Sequence, residues 1–145
     1  MLGVKILKDC SRKHLGLSHE TYIKKILERF QMQACKPVDT PVVKGSTLSI
    51  SMCPQTSEEK EKMTRIFYSN VVGSLMYAMM CTRPDICHAV GLVSQFQANL
   101  GFAHCKAVKQ IFRYLKGTID YMLCYQASDP HLVGYSDVVW GGGPD

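Results

Sequence analysis

Val72-Gly73-Ser74-Leu75-Met76-Tyr77, followed four residues later by Thr82-Arg83-Pro84-Asp85-Ile86, decides how this chain is read. Tyr68, Val72, Leu75 and Met79 recur at helical spacing through the first stretch. Arg83-Pro84 then breaks the pattern, and Pro84 suits the first position of a new helix, with Asp85 behind it near the positive end of the dipole. Ile86, Ala89, Val90, Val93 and Phe96 share one face of that second helix. Two helices joined by a tight corner are the expected core. Gly73 is costly inside a helix, so its expected use is the close approach of a neighbouring element.

Downstream, a further helix is predicted from about Ala103 to Lys116, with Val108, Ile111, Phe112 and Leu115 on its buried face and Gly117 ending it. Tyr121–Tyr125 and Leu132–Trp140 read as two strands joined by Ser128-Asp129-Pro130. Upstream, Val4–Leu7 and His14–Leu17 form a predicted hairpin about an Asp9–Lys13 turn. Ser18 offers an N-cap for an amphipathic helix over residues 19–32, whose apolar positions are Tyr22, Ile23, Ile26, Leu27 and Phe30. The connection over residues 36–57 is rich in Pro, Ser and Thr and is expected to be irregular and mobile. The fold class is α+β and helix-dominated: an N-terminal β-hairpin, three to four packed helices and a C-terminal β-hairpin.

The 145 residues suit one domain of ordinary size. A hydrophobic fraction of 46% fits a globular chain, and 17 basic against 12 acidic residues give a net charge of +5, compatible with a polyanionic partner. No apolar run is long enough to cross a bilayer and the N-terminus lacks a signal-peptide core, so no membrane partner and an intracellular location, cytoplasmic or nuclear, are expected. The seven cysteines show no Cys-x-x-Cys spacing and are expected to be reduced thiols. Cys81, Cys87, His88, His104 and Cys105 lack the paired spacing of a metal site, and no complete metal site is expected.

Lys106, Lys109, Arg113 and Lys116 fall within about a quarter-turn of one another on the last helix. A basic stripe on a rigid helix suits tracking of phosphates, although a solvated face accounts for the same pattern. Tyr114 lies among them and is suited either to stacking on a base or to the core. Lys24, Lys25 and Arg29 line the polar side of the first helix, where Lys24 and Lys25 are further candidates for nucleic-acid binding. Catalysis on nucleic acids by two metal ions needs clustered carboxylates, and the chain has no Asp-Asp pair. Asp137 sits in an apolar strand, a position that suits either a metal ligand or a residue facing solvent.

Taken together, these segments resemble the late part of a copia-type retrotransposon Pol polyprotein, where reverse transcriptase runs into RNase H. Met1-Leu2-Gly3-Val4-Lys5-Ile6 is similar to the family's Phe-Leu-Gly-(Ile/Val)-x-Ile, with Met in place of Phe. Tyr22–Leu27, Arg29–Met32, Thr40-Pro41, Val72–Tyr77, Thr82–Val90 and Ala107–Thr118 resemble successive family segments, and Gly134-Tyr135-Ser136-Asp137 resembles the first RNase H strand. The resemblance implies a primer-grip, thumb and connection region over residues 1–118, then a connection strand and a partial RNase H-like sheet over 119–145. It implies Mg2+ as cofactor of the intact enzyme and Asp137 as a remnant of its first metal ligand.

The departures bear on activity. The polymerase Asp pair would lie upstream of Met1. Where the family reads Ser-Asp-Ala-Asp-Trp this chain has Ser136-Asp137-Val138-Val139-Trp140, with Gly143 in place of a later Asp. Cys105 replaces a Trp. The expectation is therefore a truncated, degenerate piece that binds primer–template or RNA–DNA hybrid, without catalysis and with no cofactor of its own. Its partners would be nucleic acid and the missing polymerase and RNase H portions; the alternative is a protein-interaction module or a relic without function.

Overall fold

The computed structural model describes residues 3–45, 48–56, 58, 68–96 and 101–126. Among these, strands β1 (Lys5–Asp9), β2 (His14–Ser18) and β3 (Met122–Gln126) form one antiparallel sheet in the order β1-β2-β3. Helices α1 (Glu20–Arg29), α2 (Tyr68–Cys81), α3 (Cys87–Ser94) and α4 (Phe102–Gly117) supply the core, and short 3-10 turns occupy Ile50–Met52 and Pro84–Ile86. The α+β, helix-dominated class read from the sequence is the observed one.

The hairpin closes where it was predicted. The Asp9 carboxylate accepts from the Ser11 and Arg12 amides at 3.0 and 3.2 Å, and Lys13 turns the chain with a positive φ of 53°. The register places Lys5 opposite Ser18 and Ser18 opposite Met122. Ser18 belongs to that ladder through its backbone and sits one residue before the cap position of α1, where its side chain still accepts the first helical amide. Its hydroxyl lies 3.5 Å from the Glu20 amide, and His19 takes the cap position instead. The far end of α1 also differs from the predicted bounds. Gln31 adopts φ 56°, the Met32 amide donates back to the Leu27 carbonyl at 2.7 Å, and the Gln31 amide donates to Glu28. This is a Schellman closure with Gln where Gly is usual, and it ends the helix at Arg29.

β3 extends the N-terminal hairpin, a long-range pairing that local sequence pattern does not reveal. The second predicted strand, over 132–140, lies outside the described residues, as do Asp137 and the positions compared with RNase H.

Ile23, Val72, Leu75, Ile86, Val90, Ile111 and Leu115 are fully buried and bring all four helices into one core. Phe30 closes on Phe112 with ring centroids 5.5 Å apart. Gly73 corrects an expectation: it is exposed, and a Cβ built there meets nothing within 4 Å. Gly101 is where close approach is required. A Cβ there would stand 2.0 Å from the Met52 carbonyl oxygen, so the backbone of the 48–56 segment crosses the start of α4 in space that no side chain can share.

The corner between α2 and α3 is held by a buried cation. Arg83 is 2% exposed. Its Nε and one Nη grip Asp85 at 2.9 and 2.7 Å, while its two Nη atoms donate to the Thr118 carbonyl and hydroxyl at 2.9 and 2.6 Å. Tyr114 and Tyr121 flank the guanidinium, each ring centroid 5.6 Å from Cζ. Next to it, Thr82 Oγ1 lies 3.0 Å from His19 Nδ1, and the His19 ring stacks on Tyr22 at 4.7 Å. Two adjacent residues thus tie the corner to both ends of the described chain.

Arg83→Ala should cost about 3 kcal/mol in urea unfolding, because it strands Asp85 and the Thr118 carbonyl. Arg83→Lys should recover little, since an ammonium cannot fork to both partners. The glycines should respond in opposite directions. Gly73→Ala should stabilise by about 0.5–1 kcal/mol through helix propensity, and Gly101→Ala should destabilise by about 1–3 kcal/mol through overpacking.

Candidate nucleic-acid interface

α4 carries the predicted basic stripe, and its placement explains what each cation does. The helix begins at Gly101, which has no side chain to cap it; His104 Nδ1 accepts the Gly101 amide proton instead, at 3.0 Å. Val108, Ile111, Phe112 and Leu115 bury its inner face as the spacing predicted. Its outer face does not simply meet solvent.

The connection expected to be irregular is irregular, yet its described part is tied along α4. Lys116 Nζ donates to the Cys35 carbonyl at 2.6 Å, Arg113 Nε to Lys36 at 2.7 Å and Gln110 Nε2 to Thr40 at 3.0 Å. The Val38 amide donates to the Arg113 carbonyl, and a Cβ on Gly117 would come within 3.1 Å of Pro37. Val42 and Leu48 pack onto the core and Cys53 is buried. A segment with no ladder of its own has its carbonyls satisfied by long side chains of the helix beneath it.

The stripe is therefore divided. Lys116 and the Arg113 Nε hold the loop, while Lys106 and Lys109 are exposed. Lys106, Lys109 and Arg113 together line one side of a cavity of about 770 Å³ between α4, α3 and the loop. Lys24 and Lys25 stand on α1, outside that lining, and Lys24 pairs with Glu20 at i, i+4. Tyr114 is not available to stack on a base: its hydroxyl donates to Asp85 at 2.9 Å and its ring lies against Arg83.

Burial raises the Asp85 carboxyl, but the hydrogen bonds from Arg83 and Tyr114 outweigh it and hold the group below the ordinary carboxylate range. Burial lowers the His104 imidazole from its usual value near 6.5. Among the described side chains, His104 Nε2 is buried without a hydrogen-bond partner, and the ring lies 4.3 Å from that of Phe96. Burial also pushes the Cys105 thiol up. None of the seven cysteines forms a disulfide, and among the described residues no three His, Cys, Asp or Glu side chains converge to hold a metal ion. No described helix is long and apolar enough to cross a membrane.

The Arg83–Asp85–Tyr114–Thr118 network was missed from the sequence, because its members lie far apart in the chain. The chain is 52% identical over all 145 residues to the retrovirus-related Pol polyprotein of transposon TNT 1-94 from Nicotiana tabacum. It is 36% identical over 132 residues to the corresponding polyprotein of transposon RE1 from Arabidopsis thaliana. The homologues of this chain are Pol polyproteins of copia-type transposons.

It spans 11% of the tobacco polyprotein and 8% of the RE1 polyprotein. An uncharacterized mitochondrial protein of Arabidopsis thaliana is 32% identical over 144 residues, and the chain covers 55% of its length. No protein-family model matches the chain. No solved structure matches it either.

Acid should weaken the fold in two stages. His104 is kept neutral in the folded state, so as pH falls below about 6.5 the unfolded chain takes up its proton first and stability declines. The Asp85 contribution is complete above the ordinary carboxylate range and is lost as pH falls through its lowered folded value. Thermal unfolding from pH 8 to 3 should show both stages, and His104→Gln should remove the upper one.

Proposed function

We propose that this chain is the thumb and connection part of a copia-type reverse transcriptase and that it grips the backbone of a primer–template or RNA–DNA hybrid. The observation that carries this reading is the exposed cationic edge of α4, where Lys106, Lys109 and Arg113 lie together in a relative of transposon Pol polyproteins. Phosphate recognition is chemically suited to such an edge, because each Lys or Arg neutralising a phosphate releases condensed counterions. Lys24 and Lys25 on α1 form a second, separate contact in this reading. No catalytic step is assigned: Asp137 is proposed as a metal-ligand remnant, and Mg2+ chemistry belongs to the intact polyprotein. Magnesium-dependent hybrid cleavage by the pure chain, abolished by Asp137→Ala, would overturn that part.

A second reading, as a protein-interaction module, is favoured by the sheet. Both outer strands are largely exposed, and Ile6 and Tyr125 remain 52% and 53% accessible. On this reading the partners are the other portions of the polyprotein.

Fluorescence anisotropy with a labelled RNA–DNA hybrid across a salt series separates the two. Because Lys116 and part of Arg113 are engaged with the loop, the log–log slope should lie near about −2 to −3, and Lys109→Ala should flatten it by about 0.9. A complex whose affinity does not change with salt, or no complex with the hybrid at all, would favour the protein-interaction reading.

A further inference from the structure

We propose that the cavity between α4 and the overlying loop binds an amphiphilic anion, an apolar chain ending in a single carboxylate. Its volume of about 770 Å³ falls inside the range of roughly 300–1,000 Å³ typical of small-molecule sites. Val42, Leu48 and Met52 form the loop wall, Leu92 and Val93 come from α3, and Ala107 lies on α4. Val43 and Met52, on the same loop wall, stay 55% and 42% exposed, so apolar surface that folding left uncovered faces this space.

Two features of the lining select the ligand. Among the described residues no acidic side chain contributes to it, while Lys106, Lys109 and Arg113 do, at i, i+3 and i+7 on one helix. An anionic head seated there meets several cations near solvent and avoids the cost of a fully buried charge. Among the described residues no Phe, Tyr or Trp lines the cavity, and its Met and aliphatic walls suit a flexible hydrocarbon rather than a nucleobase. The cations are shared with the nucleic-acid reading, but the apolar walls are not, since phosphates make no use of them.

The test is calorimetric titration of the full chain with oleate below its micellar concentration, and with methyl oleate as the uncharged counterpart. Saturable one-to-one binding of oleate is expected, with a Kd on the order of 1–10 μM. The exposed pair Lys106→Ala/Lys109→Ala should weaken oleate about tenfold and leave the ester unchanged. Ala107→Trp, checked for folding by circular dichroism, should block both ligands by filling the cavity. Absence of saturable binding overturns the proposal, as does equal affinity for acid and ester or retention of binding by a folded Ala107→Trp protein. Failure here leaves the hybrid titration unaffected, so the two readings fall separately.

Discussion

A single guanidinium, almost wholly removed from water, sets the conditions for the rest of this structure. Burying an isolated cation is prohibitively costly, and Arg83 is tolerated because a carboxylate, a carbonyl and a hydroxyl meet its donors in one plane. Its partners come from two places in the chain: Asp85 from the corner between α2 and α3, and Thr118 from just beyond α4. Forming the network therefore fixes where α4 ends relative to the corner. Tyr114, one turn before Thr118, closes the arrangement through Asp85. Thr82, Arg83 and Asp85 at the corner and Thr118 after α4 are thereby held in one scaffold.

The same economy governs the loop over α4. An irregular segment can pack closely only if its backbone carbonyls find donors, and Gln110, Arg113 and Lys116 supply them. Gly101 and Gly117 bracket the helix with the small residues that let the loop backbone come close. Consequently the basic stripe serves two purposes. Its C-terminal half fastens the loop, and its N-terminal half remains at the surface beside an apolar cavity that the loop itself creates. A count of charges on a helical wheel cannot distinguish these roles, because the side chains are of the same types.

The sheet adds a different kind of constraint. β3 returns after α4 to pair with β2, so strands separated by the whole helical core share one ladder. The outer strands keep apolar side chains accessible on a protein that covers about a tenth of the length of its polyprotein relatives.

Local sequence was enough for the helices, the hairpin and the apolar faces, because periodicity, proline placement and turn chemistry act over a few residues. Pro84 at the corner, the Asp9 turn and the inner face of α4 stand where the pattern put them. The small departures also have local causes: β2 runs on through Ser18, so the cap position falls to His19, and Gln31 closes α1 early in a left-handed conformation. Only the tertiary structure decided which polar groups are spoken for. Arg83 marks a break in the helical pattern and is 2% exposed, Tyr114 is open between stacking and core and is a hydrogen-bond partner of Asp85, and the close approach expected at Gly73 occurs at Gly101. Each outcome depends on contacts between residues far apart in the chain, and a carbonyl from a distant loop leaves no mark in the sequence of the side chain that binds it.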